Sequence, residues 1–406
     1  MRLTTVLRRL IAVTSIFVRG FEFTDGGIIL DVRPTWRKPR CSCCQRRCSG
    51  YDTQSCRLWR HLGLGSIRVW LRYAPRRARC KYCNLTRVEH LPWAHPNTGF
   101  TTAFEEYCAY LAQITDWTSV TKLLGIDWRT VGVIIGRVVD RKLDPCRLKG
   151  LRSIGVDEFS YRKRHRYITI IVDHDSRRVV WTGKGQGAAA LTQFFAEIGP
   201  EACRQLESVT MDMSAGYRRA VLDNAPQAVI IFDRFHVQKL AGDALDEVRR
   251  QVVREAGDGE FAKAIKRSRW PLLKNAEDTT KKDERKLSEV EKTYKPLYRA
   301  YLLKEELRRS LSRKQPWRAR RELKKWIGWA ARSRLDPFKR LAKTIKKHLD
   351  GIVAYIELRL TNGLVEGINT KSRMIARRAY GFHSAHALQA MIMLCSGGVL
   401  LSPALP

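Results

Sequence analysis

The chain has 406 residues, enough for two or three domains at about 100–200 residues each. Its 76 Lys and Arg against 40 Asp and Glu give a formal charge of +36 and a pI of about 10.2, a balance that calls for a polyanionic partner, with nucleic acid foremost. No apolar run reaches the roughly 18–20 residues of a spanning helix and the cations are spread along the whole chain, which argues against a membrane as that partner.

The start, "MRLTTVLRRLIAVTSIFVRG", pairs a basic end with a short apolar stretch. Arg19 interrupts it and no small-residue cleavage site follows, so an ordinary strand or helix is expected rather than a signal peptide. Residues 1 to about 40 mix β-branched residues with a Gly26-Gly27 turn and read as short strands. Seven of the 11 cysteines then fall between Cys41 and Cys83. Cys41-x2-Cys44 and Cys80-x2-Cys83 form two knuckles around the strand-like "SIRVWLRY", and four thiolates from two knuckles make the tetrahedral shell of one structural Zn²⁺ in a reducing compartment. Cys43 and Cys48 leave the register of the first knuckle open.

From Thr101 to Lys142 the period becomes helical. "TTAFEEYCAYLAQI", "WTSVTKLLG" and "WRTVGVIIGRVVD" predict three helices, with Gly125 ending the second and Asp127 placed to cap the third. This is the helix-turn-helix pattern. Arg129 and Thr130, on the first turn of the third helix, are the side chains expected to reach base edges.

Along "SIGVDE" the alternation separates Asp157 from Glu158, so the two carboxylates face opposite sides of a strand. "HRYITIIVDHDS" and "RRVVWTGKG" complete an antiparallel meander. Then "GAAALTQFFAEIG", "LESVTMDM", "AGYRRAVLDN" and "QAVIIFDRFH" alternate helix and strand. That order predicts a ribonuclease-H-like sheet with Asp157 and Asp212 at neighbouring strand ends. Two such carboxylates suit a pair of Mg²⁺ ions, or Mn²⁺, with a third ligand from a later helix. Glu366 in "TNGLVEGINTKSRMIARRAYGF" is the candidate, followed by the basic face of Lys371, Arg373, Arg377 and Arg378. Asp233, in "DRFH", is expected to end its strand or cap the next helix. His236 is expected to orient a phosphate or carboxylate, or simply to pack.

These segments, "IGVDEFSYRKRHRYITIIVDHDSRRVVW", "VTMDMSAGY", "IIFDRFHVQK" and "NGLVEGINTKSRMIARRAYGF", follow one another behind two CxxC knuckles, and in that order they closely resemble the transposases of the ISL-three insertion-sequence family over nearly the whole chain. The resemblance implies a DNA cut-and-join enzyme whose aspartate, aspartate and glutamate fall on Asp157, Asp212 and Glu366. It also implies double-stranded DNA partners (terminal inverted repeats and target), at least a homodimer on DNA, and residence at the nucleoid of a prokaryotic cytoplasm. The rival is a transposase-derived regulator that binds DNA without cleaving it.

The fold class expected is therefore multidomain α/β: a zinc-binding, zinc-ribbon-like segment over 1–95, the helix-turn-helix over 100–145, and a ribonuclease-H-like domain over 150–238 and 352–395. A basic helical insertion over 239–351 interrupts that last domain, and its tryptophans (Trp270, Trp317, Trp326, Trp329) are expected mainly in its core.

Overall fold

Alternation and helical period recur along the chain at the places where the backbone forms its elements. The computed structural model describes residues 3–162, 166–360, 363–378, 382 and 384–401. His165, expected at the start of a strand, and Thr361 and Asn362, expected to open the glutamate helix, lie outside them. The chain divides into two compact units, Met1–Asp144 with Ala376–Pro406, and Pro145–Ile375.

In the first unit, helix α1 (Leu3–Leu10) precedes strands β1 (Ile16–Thr24), β2 (Gly27–Pro34), β3 (Ser49–Thr53), β4 (Arg57–Leu64), β5 (Ile67–Tyr73), β6 (Arg76–Cys80) and β7 (Leu85–Val88). Strands β1-β2-β5-β4 form one sheet and β3-β6-β7 another. The first sheet buries Ile28, Leu30 and Val32, alternate residues of β2, against Trp59, Val69, Leu71 and Trp93. The second sheet carries the cysteines and has only a small core of its own, so it depends on something other than apolar burial.

Three helices follow: α2 (Thr102–Ile114), α3 (Trp117–Leu124) and α4 (Trp128–Lys142). Thr101 and Asp116 cap the first two through their side chains, and Gly125 ends α3 in the left-handed conformation (φ 57°) that glycine adopts without strain. Asp127 occupies the N-cap position of α4 but makes no capping hydrogen bond with its side chain. Buried Glu105 on α2 pairs with Arg137 (2.7 Å) and Arg141 (2.9 Å) on α4, which fixes the angle between the helices.

The second unit begins with β8 (Ser153–Arg162), β9 (Arg166–Asp173) and β10 (Arg178–Lys184). It continues with α5 (Ala188–Gln205), β11 (Ser208–Met211), α6 (Ala215–Asn224) and β12 (Val229–Phe232). The sheet order is β10-β9-β8-β11-β12, antiparallel across β10, β9 and β8 and parallel from β8 through β11 to β12. α5 runs past the Gly199 at which the sequence pattern ends it. Gly199 (φ 80°) and Pro200 make a kink there rather than a stop.

Nine helices follow among the described residues: α7 (Arg234–Glu255), α8 (Glu260–Arg267), α9 (Arg269–Leu273), α10 (Lys281–Thr293), α11 (Lys295–Leu311), α12 (Pro316–Ala331), α13 (Asp336–Lys347), α14 (Leu349–Leu358) and α15 (Gly363–Arg378). One hydrophobic core runs from the sheet through these helices. Trp326 is buried in it and donates to the Leu303 carbonyl at 2.8 Å, and Trp329 packs at its edge. Trp270 and Trp317 are instead exposed, each beneath an arginine, Arg269 and Arg321.

A last helix, α16 (Ala385–Ser396), lies in the 352–395 segment expected for the catalytic domain, yet it packs against α4 and α2 in the first unit. Its apolar run needs cover on most sides, and those helices supply it. The Gln113 amide donates to the Leu394 carbonyl at 2.8 Å. Among the described residues no helix is long and apolar enough to cross a membrane.

The approach of α15 to the sheet is set by Gly155. A Cβ there would lie 2.4 Å from Val365 Cγ2 and 3.0 Å from both His174 Nε2 and Thr210 Oγ1. Gly155→Ala should therefore cost about 1–3 kcal/mol through overpacking. Urea unfolding of Gly155→Ala, Val365→Ala and the double variant would check it, with the double variant recovering part of the loss.

Candidate functional site

The site is built across three parallel strands: Asp157 lies in the middle of β8 rather than near its end, level with the ends of β11 and β12. Asp157 lies on β8 with its side chain on the face opposite Glu158, whose carboxylate is taken by the Tyr217 hydroxyl (2.5 Å) and the Gly187 N–H (3.3 Å). Asp212 follows β11 and accepts from the Ser214 N–H at 3.0 Å. Asp233 follows β12 at the start of α7, and His236 stands one turn further on. Glu366 is on the first turn of α15, and Asn369, one turn later, donates from Nδ2 to Asp157 Oδ2 at 2.5 Å.

Burial pushes the Asp157 carboxyl up to about 6, with the Asp212 charge adding to the rise; the Glu158 N–H, His236 and Asn369 work against it. Burial also raises Glu366, with Asp233 adding to the rise, while His236 and Arg373 oppose it. The Asp233 carboxylate, 3.7 Å from His236 Nδ1, raises the imidazole pKa against the effect of burial. At that length the contact acts as a charge pair rather than a hydrogen bond. Carboxylates and an imidazole thus perturb one another in a desolvated pocket, the condition in which a divalent cation gains most.

Asp157 and Asp212 sit on neighbouring strands, as the alternation predicts. Among the described residues, however, the acidic trio whose ligand atoms all lie within 4.8 Å of one another is Asp233, His236 and Glu366. Asp233 stands at the strand end and in the N-cap position of α7, as expected, but its side chain makes no capping hydrogen bond. The "DRFH" spacing, which places a carboxylate and an imidazole one helical turn apart beside a strand end, was the signal available for this pair.

A second group lies in the first unit. Cys41, Cys44, Cys80 and Cys83 bring their sulfurs within 4.8 Å of one another, with 4.0 Å between Cys41 and Cys83 and 3.6 Å between Cys44 and Cys80. Tetrahedral Zn–S bonds of about 2.3 Å imply S···S separations of about 3.8 Å, so this set could hold a zinc ion and leaves no position open for a substrate. Cys43 and Cys48, the other cysteines near the first knuckle, lie outside this group. Cys43 is exposed, and burial pushes the Cys48 thiol up to about 11 while it donates to the Arg46 carbonyl. Within the group the backbone N–H groups of Cys83 and Tyr82 draw Cys80 down to about 6, whereas the neighbouring Cys44 sulfur and burial push Cys83 up, so it is the convergence of the four sulfurs that marks the site.

On α4, Arg129 is exposed and Thr130 half-buried, while Val131, Ile134, Ile135 and Val138 form the inward face. Lys371, Arg373, Arg377 and Arg378 are all exposed along α15.

Residues 154–392 match the transposase family, so the carboxylate-bearing sheet belongs to the enzymatic part of a DNA transposase. Residues 89–139 match the helix-turn-helix domain of transposase family ISL3, and the chain belongs to that family. The transposase for insertion sequence element IS1557 of Mycobacterium tuberculosis (strains CDC 1551 / Oshkosh and ATCC 25618 / H37Rv) is 38% identical over 409 residues, covering 93% of this chain and 91% of the relative. The transposase for insertion sequence element IS1001 of Bordetella parapertussis is 30% identical over 371 residues, covering 88% and 89%.

Two predictions follow from this chemistry. Chelation, or Cys80→Ser, should release any ion held by the four cysteines and unfold the β3-β6-β7 sheet while leaving the second unit folded. Elemental analysis with limited proteolysis would read both effects. Because a proton competes with the cation for Asp157, the metal requirement should rise as pH falls below about 6. The slope should approach about tenfold per unit, and metal titrations between pH 5 and 8 would measure it.

Proposed function

We propose that the chain binds the terminal inverted repeats of an insertion sequence and catalyses metal-dependent cleavage and strand transfer, with Asp157, Asp212 and Glu366 as the catalytic carboxylates. What carries this is the gathering of Asp157, Asp212, Asp233 and Glu366 at one edge of the sheet, with Asp157 and Glu366 pushed up by burial, inside the segment that matches the transposase family. The sheet order β10-β9-β8-β11-β12, three antiparallel strands followed by two parallel ones, supports a ribonuclease-H-like catalytic domain with α7 to α13 inserted before the glutamate helix. On this view the zinc-binding segment and the helix-turn-helix are separate DNA-reading parts ahead of it.

Magnesium ions at this site would activate the attacking hydroxyl and stabilise the leaving oxygen of an in-line attack on a phosphodiester. The protein's share is orientation. Asn369 and the Glu158 N–H hold the two oxygens of Asp157, at 2.5 Å and 2.7 Å, so that the carboxylate cannot rotate away. Asp212 is held by the Ser214 N–H, and Glu366 is carried in by α15. The exposed cations Lys371, Arg373, Arg377 and Arg378 lie on that same helix and suit the phosphates beside the cleaved bond. Two element ends must be held together, so the active form is at least a dimer on DNA. The Cys41, Cys44, Cys80 and Cys83 group, holding one structural zinc, would stiffen a part that has little apolar core.

Asp157→Asn, Asp212→Asn and Glu366→Gln should each lower strand cleavage roughly a thousandfold or more, through loss of several kcal/mol of transition-state stabilisation, while leaving binding to the ends near normal. Cleavage of end-containing duplexes alongside mobility-shift titrations would measure both. Near-normal cleavage by all three would overturn the assignment, and a wild-type protein that binds ends but never cuts them would mark a regulator.

Arg129→Ala should cost about 1–3 kcal/mol on the cognate end and little on scrambled DNA, as loss of a base contact does. Lys324→Ala, on an exposed turn of α12, should weaken both duplexes alike and reduce the salt slope by about one unit. Titrations at several salt concentrations would separate the two behaviours.

A further inference from the structure

Asp233 is the least explained carboxylate in the second unit. Its side chain is 7% exposed, it follows β12 at the N-cap of α7, and it satisfies none of the helix's free N–H groups. Among the described residues its one charged contact is His236, at 3.7 Å. His236 Nδ1 is itself buried and without a hydrogen-bond partner. A carboxylate on a mostly buried side chain and a desolvated ring nitrogen, neither hydrogen-bonded, are each costly to leave so. A third group, Glu366, closes on them to within 4.8 Å and adds like charge to Asp233. Helix capping, a salt bridge to Lys or Arg, and ordinary packing each leave at least one of these groups unsatisfied. A divalent cation satisfies all three at once.

We propose that Asp233, His236 and Glu366 form a divalent-metal position of their own beside the one at Asp157 and Asp212, and that its imidazole nitrogen makes it favour a first-row ion such as Mn²⁺ over Mg²⁺. The proposal rests on the catalytic assignment for Glu366 and adds to it two ligands and an ion preference. Magnesium takes oxygen ligands and keeps its waters, whereas imidazole is a good donor to first-row divalent ions. Three protein ligands leave room for water or a phosphate oxygen. Glu366 then does more than complete the shell of the two aspartates: it ties the helix that bears it to a ligand pair on α7.

The test is Mn²⁺ binding to the full-length, zinc-loaded protein without DNA, followed by electron paramagnetic resonance. The wild type should show ¹⁴N modulation from a coordinated imidazole in the spin-echo signal, and His236→Gln should lose it. His236→Gln and Asp233→Asn should each weaken one bound Mn²⁺ by at least about tenfold, the scale on which lost metal-site partners act. Asp157→Asn should weaken a different ion and keep the nitrogen signal. In the wild type, Mg²⁺ should displace the nitrogen-bound ion only in large excess. Asparagine is itself a good N-cap residue, so Asp233→Asn should fold, and thermal melts of both variants would confirm it. Absence of ¹⁴N modulation in the wild type, its persistence in His236→Gln, or unchanged Mn²⁺ affinity in Asp233→Asn would overturn the proposal. Loss of an ion in Asp157→Asn alongside any of those results would leave the catalytic assignment standing, whereas wild-type Mn²⁺ binding in both Asp157→Asn and Glu366→Gln would remove that assignment too.

Discussion

The second unit is organised around the absence of a side chain at Gly155. With no Cβ on β8, Val365 can sit against the strand, and α15 settles close enough for Asn369 to reach Asp157 and for Glu366 to reach Asp233 and His236. A similar device operates at the sheet edge. A Cβ on Gly351 would lie 2.6 Å from the Phe232 ring and 2.8 Å from the Ile230 carbonyl, so α14 lies flush on β12 and delivers the chain toward α15. The reactive groups come from segments more than two hundred residues apart, and two missing methyl groups let them meet.

Charge is distributed to the same end. The chain carries an excess of cations, yet it gathers carboxylates where the strands finish and places His236 and Arg373 as their counterweights. Two buried acids of the first unit are neutralised by arginine: Glu105 by Arg137 and Arg141, and Glu89 by Arg76. Among the described residues Asp157, Asp212, Asp233 and Glu366 form no ion pair with arginine, and Arg373 acts on Glu366 only at longer range.

Much of this was legible in the sequence because it is local. Alternation separated Asp157 from Glu158, cap residues and Gly125 marked the three helices, and CxxC spacing named Cys41, Cys44, Cys80 and Cys83, the four whose sulfurs the fold brings together. What was not legible depends on distant packing. The capping expectation for Asp233 was reasonable from its place before a helix, but whether it caps or faces Glu366 is decided by how α15 docks. The tryptophans show the same limit. Trp326 and Trp270 stand in similar basic surroundings in the sequence, yet one is core and the other lies open to solvent, since helical period alone does not say which face meets a neighbour. Most of helix α16 falls within the segment that matches the transposase family, which runs to residue 392, yet its apolar surface packs against α4 and α2, partners that chain order does not reveal.

That placement of α16 bears on the order in which the protein is made. A ribosome releases α2, α3 and α4 early, but the helix that covers them emerges only after every strand and helix of the enzymatic unit. The helical part of the first unit therefore waits, with an apolar surface uncovered, until synthesis has passed through the second. A nascent or prematurely ended chain carries the helix-turn-helix in an unfinished state. A chain cut short before Ala385 would thus lack a helix against which α2 and α4 pack, even with the preceding strands and helices complete.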